Sequence, residues 1–263
     1  MAKKETKNEP KDLVEAIPEE LEKIELEVDA GDIDENLKDL DKIEKKSDIL
    51  SSWVPKTKLG KSVKEGKEKD IDKILLTGKK ILESEIVDYL LALDSELLLI
   101  GQAKGKFGGG KRRAWRQTQK KTMEGNVLSF SAMVVVGDRK GHVGLGFGKA
   151  SETLPAREKA LRDAKLNIIK ITLGFESPED EKDKAQPHTV PFKVEGKCGS
   201  VRITLWPAPR GTGLVAGPEV KKILSLAGIK DAYTKTIGHT KTTFNVAKAC
   251  INALEKTNKM RLP

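Results

Sequence analysis

Several features that would assign a class of protein at once are missing from this sequence. Only two cysteines, Cys198 and Cys250, occur among 263 residues, and their separation fits neither a disulfide framework nor a metal site. No run of 18 apolar residues indicates a membrane span, and Met-Ala-Lys-Lys leads into polar sequence instead of a secretory signal. We therefore expect a cytoplasmic protein in a reducing environment, without a metal or membrane contact, and with Cys250 as a buried thiol.

Patterns that would indicate catalysis are also missing. The three histidines, His142, His188 and His239, have no metal-ligand spacing with either cysteine. No Ser-His-Asp arrangement or activated nucleophile can be identified. The sequence therefore predicts a protein that is not an enzyme and needs no cofactor.

One glycine-rich segment imitates a P-loop. Gly105 and Gly110-Lys111 have the required spacing, but Arg112 stands where a Ser or Thr must hold magnesium. No apolar strand ends at Gly105 and no helix follows. The segment is therefore not expected to bind a nucleotide.

A second segment imitates a dinucleotide fingerprint. Gly211, Gly213 and Ala216 lie between a predicted strand and a predicted helix, and Asp231 follows Gly211 by 20 residues. Residues 207–210 separate the strand from the glycines, so the tight turn of the fingerprint is lost. A dinucleotide-dependent enzyme that uses this segment is the alternative to a binding protein.

Charge is abundant and unevenly distributed. The formal net charge is +9, yet residues 1–100 contain 18 Lys, no Arg and 26 Asp or Glu, for a net charge of −8. Residues 101–263 therefore carry +17. This asymmetry predicts a polyanionic partner for the second part of the chain.

The basic residues are densest at 101–125, where eight Lys or Arg accompany one Glu. Phe107 and Trp115 are interleaved among the cations, and four glycines between Gly105 and Gly110 predict a flexible loop. A mobile cationic loop with exposed aromatics suits phosphates and unstacked bases. A solvated loop without a partner is the other interpretation.

The N-terminal part predicts little packed structure. Residues 1–50 are acidic and are expected to form a mobile extension, with short helical patches at most. Residues 51–94 predict a basic extended segment with short helices at 71–76 and 85–93, followed by the start of a strand at 96–100.

Residues 128–171 predict a strand, a turn at 137–141, a second strand and a helix. The second strand alternates Val143, Leu145 and Phe147 with three glycines, Gly144, Gly146 and Gly148. Such a bare face lets another surface approach the backbone, and we expect that surface to be folded RNA. Ser151 or Thr153 is expected to cap a helix over 151–170 that covers the hairpin with five residues, Leu154, Leu161, Ala164, Ile168 and Ile171.

A polar linker at 176–186 precedes a second domain at 187–263. Strands are expected at 189–194 and 201–206, joined through 196–199, with a further strand or edge segment at 229–238. Pro218 and Gly228 bound one predicted helix, and Thr242 or Thr243 is expected to cap the last. The apolar faces of these two helices comprise Val220, Ile223, Leu224 and Ala227, and Phe244, Ala247, Ile251 and Leu254.

Three segments together resemble one family. They are FSAMVVVGDRKGHVGLGFGKASE, PHTVPFKVEGKCGSVRITLWPAPRGTGLVAG and LAGIKDAYTKTIGHTKTTFNVAKA. They are similar to small-subunit ribosomal protein five, and the TVPF, GKCGSV and PAPRGTG forms resemble its archaeal and eukaryotic branch. The resemblance implies an α+β fold. A double-stranded-RNA-binding-like β-β-β-α domain at 95–175, with strands near 96–104, 127–137 and 142–149, precedes a β-α-β-α domain from about 187.

The resemblance also implies a function. Family members are structural constituents of the small ribosomal subunit near the messenger entry channel, where they support assembly, decoding accuracy and messenger unwinding. The implied partners are small-subunit ribosomal RNA, small-subunit ribosomal proteins four, three and eight, and messenger RNA nearby. A free double-stranded-RNA adaptor outside the ribosome is a further alternative.

Two sets of site residues follow from the resemblance and the basic loop. The residues expected to bind ribosomal RNA are Lys104, Lys106, Lys111, Arg112, Arg113, Arg116, Lys120, Lys121, His142 and Lys149. The residues expected to contact a neighbouring protein, by similarity to the edge that meets protein four, are Arg210, Gly211, Thr212 and Gly213. The basic insert is longer than the family's compact loop. The linker also lacks the cysteine cluster of some archaeal relatives, so no zinc is expected.

Overall fold

The computed structural model describes residues 53–103, 112–176 and 186–259. The chain from Val54 onward forms one compact unit. The extension predicted at 1–50 and most of the linker predicted at 176–186 lie outside the described residues.

In the described residues from 53 onward, three short helices precede the first sheet: α1 Lys58–Lys64, α2 Ile71–Leu76 and α3 Ser84–Leu90. The prediction for α2 is confirmed, and α3 ends earlier than the predicted 85–93. Helix α1 was not predicted, because its lysine-rich sequence KLGKSVK has no clear apolar face. It begins where the Thr57 hydroxyl accepts a 3.0 Å hydrogen bond from the Gly60 amide.

The first sheet is antiparallel and contains five strands, β1 Asp94–Leu97, β2 Trp115–Thr122, β3 Gly125–Gly137, β4 His142–Ala150 and β5 Ile168–Lys170. One edge of β3 pairs with β4, and its other edge pairs with β1 and then β2. Two predictions need correction. The first strand was expected at 96–104, and 115–122 was expected to be loop. β2 has no apolar alternation and forms because the long β3 offers free backbone groups beside it.

Helix α4, Thr153–Leu166, packs directly on the glycine face of β4. A Cβ atom built on Gly144, Gly146 or Gly148 would lie 2.2, 2.0 or 2.1 Å from the carbonyl oxygen of Ala164, Ala160 or Ala156. These contacts leave no space for RNA. The expectation that this face lies against RNA is therefore wrong, because the missing side chains accommodate a helix of the same chain.

The contact face of α4 also differs from the predicted one. It consists of three buried alanines, Ala156, Ala160 and Ala164, while Leu154 is 63% exposed. The N-cap residue is Glu152, without a side-chain cap hydrogen bond, instead of Ser151 or Thr153. The helix ends at Leu166, and Ile168 already belongs to β5. Small side chains face the sheet because the close approach to glycine excludes large ones.

The opposite face of the first sheet shares a core with the second domain. Met133, Val135 and Val143 are fully buried there among residues that follow position 200. Phe147 extends from this face to Phe244, and their ring centroids lie 5.4 Å apart in an edge-to-face arrangement. The two domains therefore pack through an apolar interface.

The second domain has the elements β6 Val194–Cys198, β7 Val201–Trp206, β8 Leu214–Val215, α5 Pro218–Leu226, β9 Ala232–Ile237 and α6 Thr243–Lys259. The strand order is β6-β7-β9-β8, with only β8 and β9 parallel. The first strand begins five residues later than predicted. The domain is β-β-β-α-β-α instead of β-α-β-α, because β7 and the short β8 precede the first helix.

The predicted apolar faces of the last two helices are confirmed. All four residues of the face predicted for α5 are buried, and Gly228 follows the helix at φ +91°. On α6, Ala247 and Leu254 are buried, and Phe244 and Ile251 are partly buried against the same core. Cys250 is fully buried as predicted, and burial raises the pKa of its thiol to about 12.

Candidate nucleic-acid interface

A protruding hairpin arm is formed by β2 and the first half of β3. The β3–β4 pairing begins only at Phe130, whereas β2 follows β3 out to the Thr122–Gly125 pair. Residues 117–129, termed the arm, therefore extend past β4. Gly125 adopts φ +125° after the turn, a backbone conformation that side chains rarely allow. The arm presents polar and basic side chains to solvent, together with three exposed apolar ones, Met123, Val127 and Leu128.

The strand register brings together two cations that the sequence had indicated separately. Arg116 pairs with Ser131, and Ser131 pairs with Lys149. Directly paired residues point to the same face of a sheet, so Arg116 and Lys149 flank Ser131 at a separation of about 10 Å. Both cations are exposed, while Ser131 is buried. This row can hold phosphate groups between its two charged ends.

Further cations occupy both faces of the hairpin. Lys120 lies four residues along β2 from Arg116 and shares its face, while Lys121 points to the opposite face with Trp115. Both lysines are exposed, and Trp115 is 40% exposed. With cations on both faces, the arm is better suited to insertion between two phosphate backbones than to lying flat on a single strand.

The remaining basic loop begins and ends beside the hairpin. The Gly101 amide donates to the Arg113 carbonyl at 2.9 Å, and the Arg113 amide donates to the Gln102 carbonyl at 3.3 Å. Ala103 and Arg112 form the next bridge. Lys104, Lys106 and Lys111, with Phe107 and the P-loop-like glycines, lie outside the described residues.

A cleft of about 410 Å³ separates the start of this loop from the start of α6. Arg112, Arg116 and Lys241 are among the residues that line it. Arg112 Nη1 reaches the Lys241 carbonyl oxygen at 3.5 Å. Sequence reasoning missed Lys241, because only tertiary packing brings it across 129 residues to Arg112.

His142 does not belong to this surface, which corrects its place in the predicted set. Its ring is buried, with Nδ1 2.5 Å from Asp138 Oδ2 and Nε2 2.8 Å from Asp72 Oδ1. Hydrogen bonding to Asp138 raises the pKa of His142, against the opposing effect of burial. Both ring nitrogens are engaged by carboxylates, so neither is left for a phosphate.

The dinucleotide-like segment is a loop held by its own acidic residue. Asp231 is 5% exposed, and its Oδ1 accepts a 2.7 Å hydrogen bond from the Gly213 amide. Gly211 and Gly213 have φ of +83° and +71°. In a dinucleotide site the carboxylate must face the ribose and the glycine amides must face the phosphates. Here they bond to each other, which argues against the enzyme alternative.

The segment predicted to contact a neighbouring protein lies at the surface just before β8. Arg210 and Gly211 are exposed, and Thr212 and Gly213 are partly exposed. Arg210 Nη2 donates to the Gln186 carbonyl at 3.4 Å. This hydrogen bond anchors one side of the loop and leaves the glycines accessible.

Neither a metal centre nor a membrane span occurs in the part of the chain that the structure describes. Among residues 53–103, 112–176 and 186–259, no group of three or more His, Cys, Asp or Glu could hold a metal ion. No helix in the same ranges is both long and apolar enough to cross a membrane.

Comparisons with known proteins match both halves of the described chain. Residues 114–172 match the family model of the ribosomal protein S5 N-terminal domain, and residues 196–261 match that of the C-terminal domain. Small ribosomal subunit protein uS5 of Nanoarchaeum equitans is 48% identical over 214 residues, which cover 81% of this chain and 91% of that protein. The uS5 proteins of Staphylothermus marinus and Pyrobaculum calidifontis are 46% and 47% identical, over 82% and 81% of this chain and 94% and 98% of theirs.

Proposed function

Because this chain belongs to the uS5 family of small ribosomal subunit proteins, we propose that it is a non-enzymatic structural component of that subunit. In this role it binds ribosomal RNA through the arm and the adjoining basic residues. The contacts are mainly to phosphates and to the shape of the RNA, since the side chains available are Arg and Lys.

The observation that carries this proposal is the row formed by Arg116, Ser131 and Lys149. Two exposed cations on a rigid sheet lose little conformational freedom when they meet phosphates, because the strands already set their spacing. The arm adds Lys120 and Lys121 on opposite faces. Together these residues form a surface suited to folded RNA.

We also propose a finer position, which family membership supports. We place the protein near the messenger entry channel, where it supports assembly, decoding accuracy and messenger unwinding. The exposed loop from Arg210 to Gly213 is the proposed contact with small-subunit protein four, and proteins three and eight are the other proposed neighbours. Gly211 and Gly213 have no side chains to obstruct a close contact of this kind, and Asp231 fixes the Gly213 amide.

The test compares two double variants with equal changes of charge. Arg116→Gln with Lys149→Gln removes the row, and Lys221→Gln with Lys230→Gln removes two exposed cations from the second domain. Both proteins should retain the circular dichroism of the unchanged chain. The row variant should bind small-subunit ribosomal RNA at least about tenfold more weakly in filter binding, because glutamine cannot neutralise the phosphates that the two cations meet. Equal affinities for the two variants would contradict the proposal.

Sedimentation and dialysis address the alternatives. A subunit component should sediment with the small subunit in cell extract, whereas a free double-stranded-RNA adaptor should remain in light fractions. Equilibrium dialysis against NAD should show no saturable binding, because Asp231 already occupies the Gly213 amide.

A further inference from the structure

The second domain carries an open sheet face that the arm does not explain. Helix α6 covers one side of this sheet, where a Cβ atom on Gly196 would lie 2.0 Å from the Ala249 carbonyl oxygen. Successive side chains of a strand point to opposite faces, so the residues next to those that contact α6 point to the other side of the sheet. On β9 these are Tyr233, Lys235 and Ile237, and all three are exposed. The side opposite α6 is termed the open sheet face.

Aromatic side chains form a row across this face. Trp206 on β7 pairs with Tyr233 on β9, which pairs with Val215 on β8. Paired side chains lie about 5 Å apart on a common face. Tyr233 is 41% exposed and Val215 is 50% exposed, so the row forms a continuous apolar strip at the surface.

Cations surround the strip. Lys193 Nζ lies 5.6 Å from the centroid of the Trp206 ring, within the range of a cation–π contact. Arg202 pairs with Ile237, and Lys235 pairs with Thr204, so both basic side chains point to the same side as the aromatics. The acidic group on the adjoining strand is Glu195, which lies 3.4 Å from Lys193. Arg202 and Lys235 therefore leave an excess of positive charge.

We propose that the open sheet face is a second RNA contact, which binds an unpaired segment of ribosomal RNA with bases stacked on Trp206 and Tyr233. The inference rests on the proposed function, since it takes the chain to be part of the small subunit. The exposed Tyr233 ring and the partly exposed Trp206 ring favour unpaired bases, because the bases of a duplex already stack on one another. Arg202 and Lys235 then meet the phosphates of the same segment.

An acidic protein surface is the competing occupant, and the charge alone would suit it. The aromatic strip favours RNA, because carboxylates gain nothing from the ring faces whereas bases stack on them. A cation–π contact beside the stacking ring also accompanies sequence-tolerant binding of single strands.

Cross-linking locates the contact inside the assembled particle. Small subunits that contain the full-length chain are irradiated with ultraviolet light and digested with ribonuclease and trypsin. Cross-linked nucleotides should appear on peptide 231–235 or peptide 203–210, which contain Tyr233 and Trp206. The proposal is overturned if neither peptide carries a nucleotide. It is also overturned if both peptides instead carry cross-links to another protein after treatment with a carboxyl–amine cross-linker.

Binding measurements separate this face from the arm. The protein with Lys120→Gln and Lys121→Gln serves as background, and a fluorescent ten-nucleotide oligouridine is the probe. Tyr233→Leu should weaken binding by about tenfold, as expected for the loss of one stacked base. Arg202→Gln with Lys235→Gln should weaken it further at low salt. Tyr89→Leu, which alters an exposed tyrosine on α3, should leave the affinity unchanged.

The two proposals fail in different ways. Unchanged binding in Tyr233→Leu would overturn the open sheet face as a contact, even if the row variant of Arg116 and Lys149 loses ribosomal RNA. Normal ribosomal RNA binding by that row variant would contradict the row as an RNA contact, even if the peptides of the second domain cross-link to nucleotides.

Discussion

Asp72 Oδ1 lies 2.8 Å from His142 Nε2 and so joins helix α2 to the first sheet across 70 residues. The same carboxylate contacts Lys170 Nζ on β5, and Asp138 holds the other nitrogen of the His142 ring. The His142 ring thus lies between two carboxylates. This network attaches helix α2 to the sheet through polar contacts.

The network predicts a window of pH in which the fold is most stable. The pKa of His142 is raised by hydrogen bonding to Asp138, so its contribution is complete below 6.5 and is lost as pH rises through the raised value. Burial alone would raise the pKa values of Asp72 and Asp138, but hydrogen bonding to Lys170 and His142 outweighs burial and lowers them. The contribution of these carboxylates is complete above 3.8 and is lost as pH falls further.

Urea unfolding across this range measures both sides of the profile. The free energy of unfolding should be highest between about pH 4 and 6.5 and should decline on either side. His142→Gln keeps a polar side chain but cannot be protonated, so the alkaline decline should disappear. An identical alkaline decline in this variant and in the unchanged protein would assign the effect to another group.

Close packing of α4 on β4 predicts a severe effect of a single methyl group. Gly146→Ala places a Cβ atom 2.0 Å from the Ala160 carbonyl oxygen and 2.1 Å from the Ala164 amide nitrogen. Neither backbone atom can move without shifting the helix. We expect a loss of about 3 kcal/mol in the free energy of unfolding, measured by urea denaturation.

Gly217→Ala is the matched control for that experiment. A Cβ atom there meets nothing within 4 Å, and the backbone has φ −64°. Its cost should not exceed about 1 kcal/mol, the usual effect of alanine at an N-cap. Similar losses at the two glycines would mean that α4 adjusts easily.

Affinity for ribosomal RNA should depend strongly on salt. Six described cations of the predicted set remain available: Arg112, Arg113, Arg116, Lys120, Lys121 and Lys149. With about 0.7 counterions released for each phosphate contact, a plot of log K against log salt should have a slope near −4. Filter binding at several salt concentrations gives this slope. Removing Arg116 and Lys149 should reduce the magnitude of the slope by about 1.4. A slope near zero in the unchanged protein would rule out phosphate contacts as the main source of affinity.

The two cysteines should react at very different rates. Cys250 is fully buried and its thiol has a pKa of about 12, whereas Cys198 is partly exposed. Because the thiolate is the reactive form, a thiol reagent at mildly alkaline pH should modify one group in the native protein and both in urea. Cys198→Ser should abolish the native reaction, and a remaining native reaction would show that the core opens near α6.

Helices, strands and buried positions that depend on residues close together in the sequence could be predicted. The α5 helix follows from Pro218, a four-residue apolar face and Gly228, and α2 was located at its observed bounds. The strand pattern of 130–136 and the buried Cys250 also follow from short-range periodicity. In these elements the apolar residues determine which face is buried, whatever covers it.

Strand β2 could not be predicted, because its polar sequence has no strand pattern. It is a strand because its backbone pairs with β3. The glycines of β4 indicated a close contact, but only the structure identifies α4 as the surface in contact. The sequence predicts His142 as an RNA neighbour, because Asp72, which contacts its Nε2, is distant in sequence. Each of these errors concerns the identity of a partner.

Composition by itself determined that residues 101–263 carry a net charge of +17, because this sum does not depend on how the chain folds. That charge predicts a polyanionic partner. The resemblance determined the family. Tertiary structure alone decided which cations lie next to one another. Arg116 and Lys149 are 33 positions apart in the chain, and strand register, which depends on which faces are buried, places them on one face.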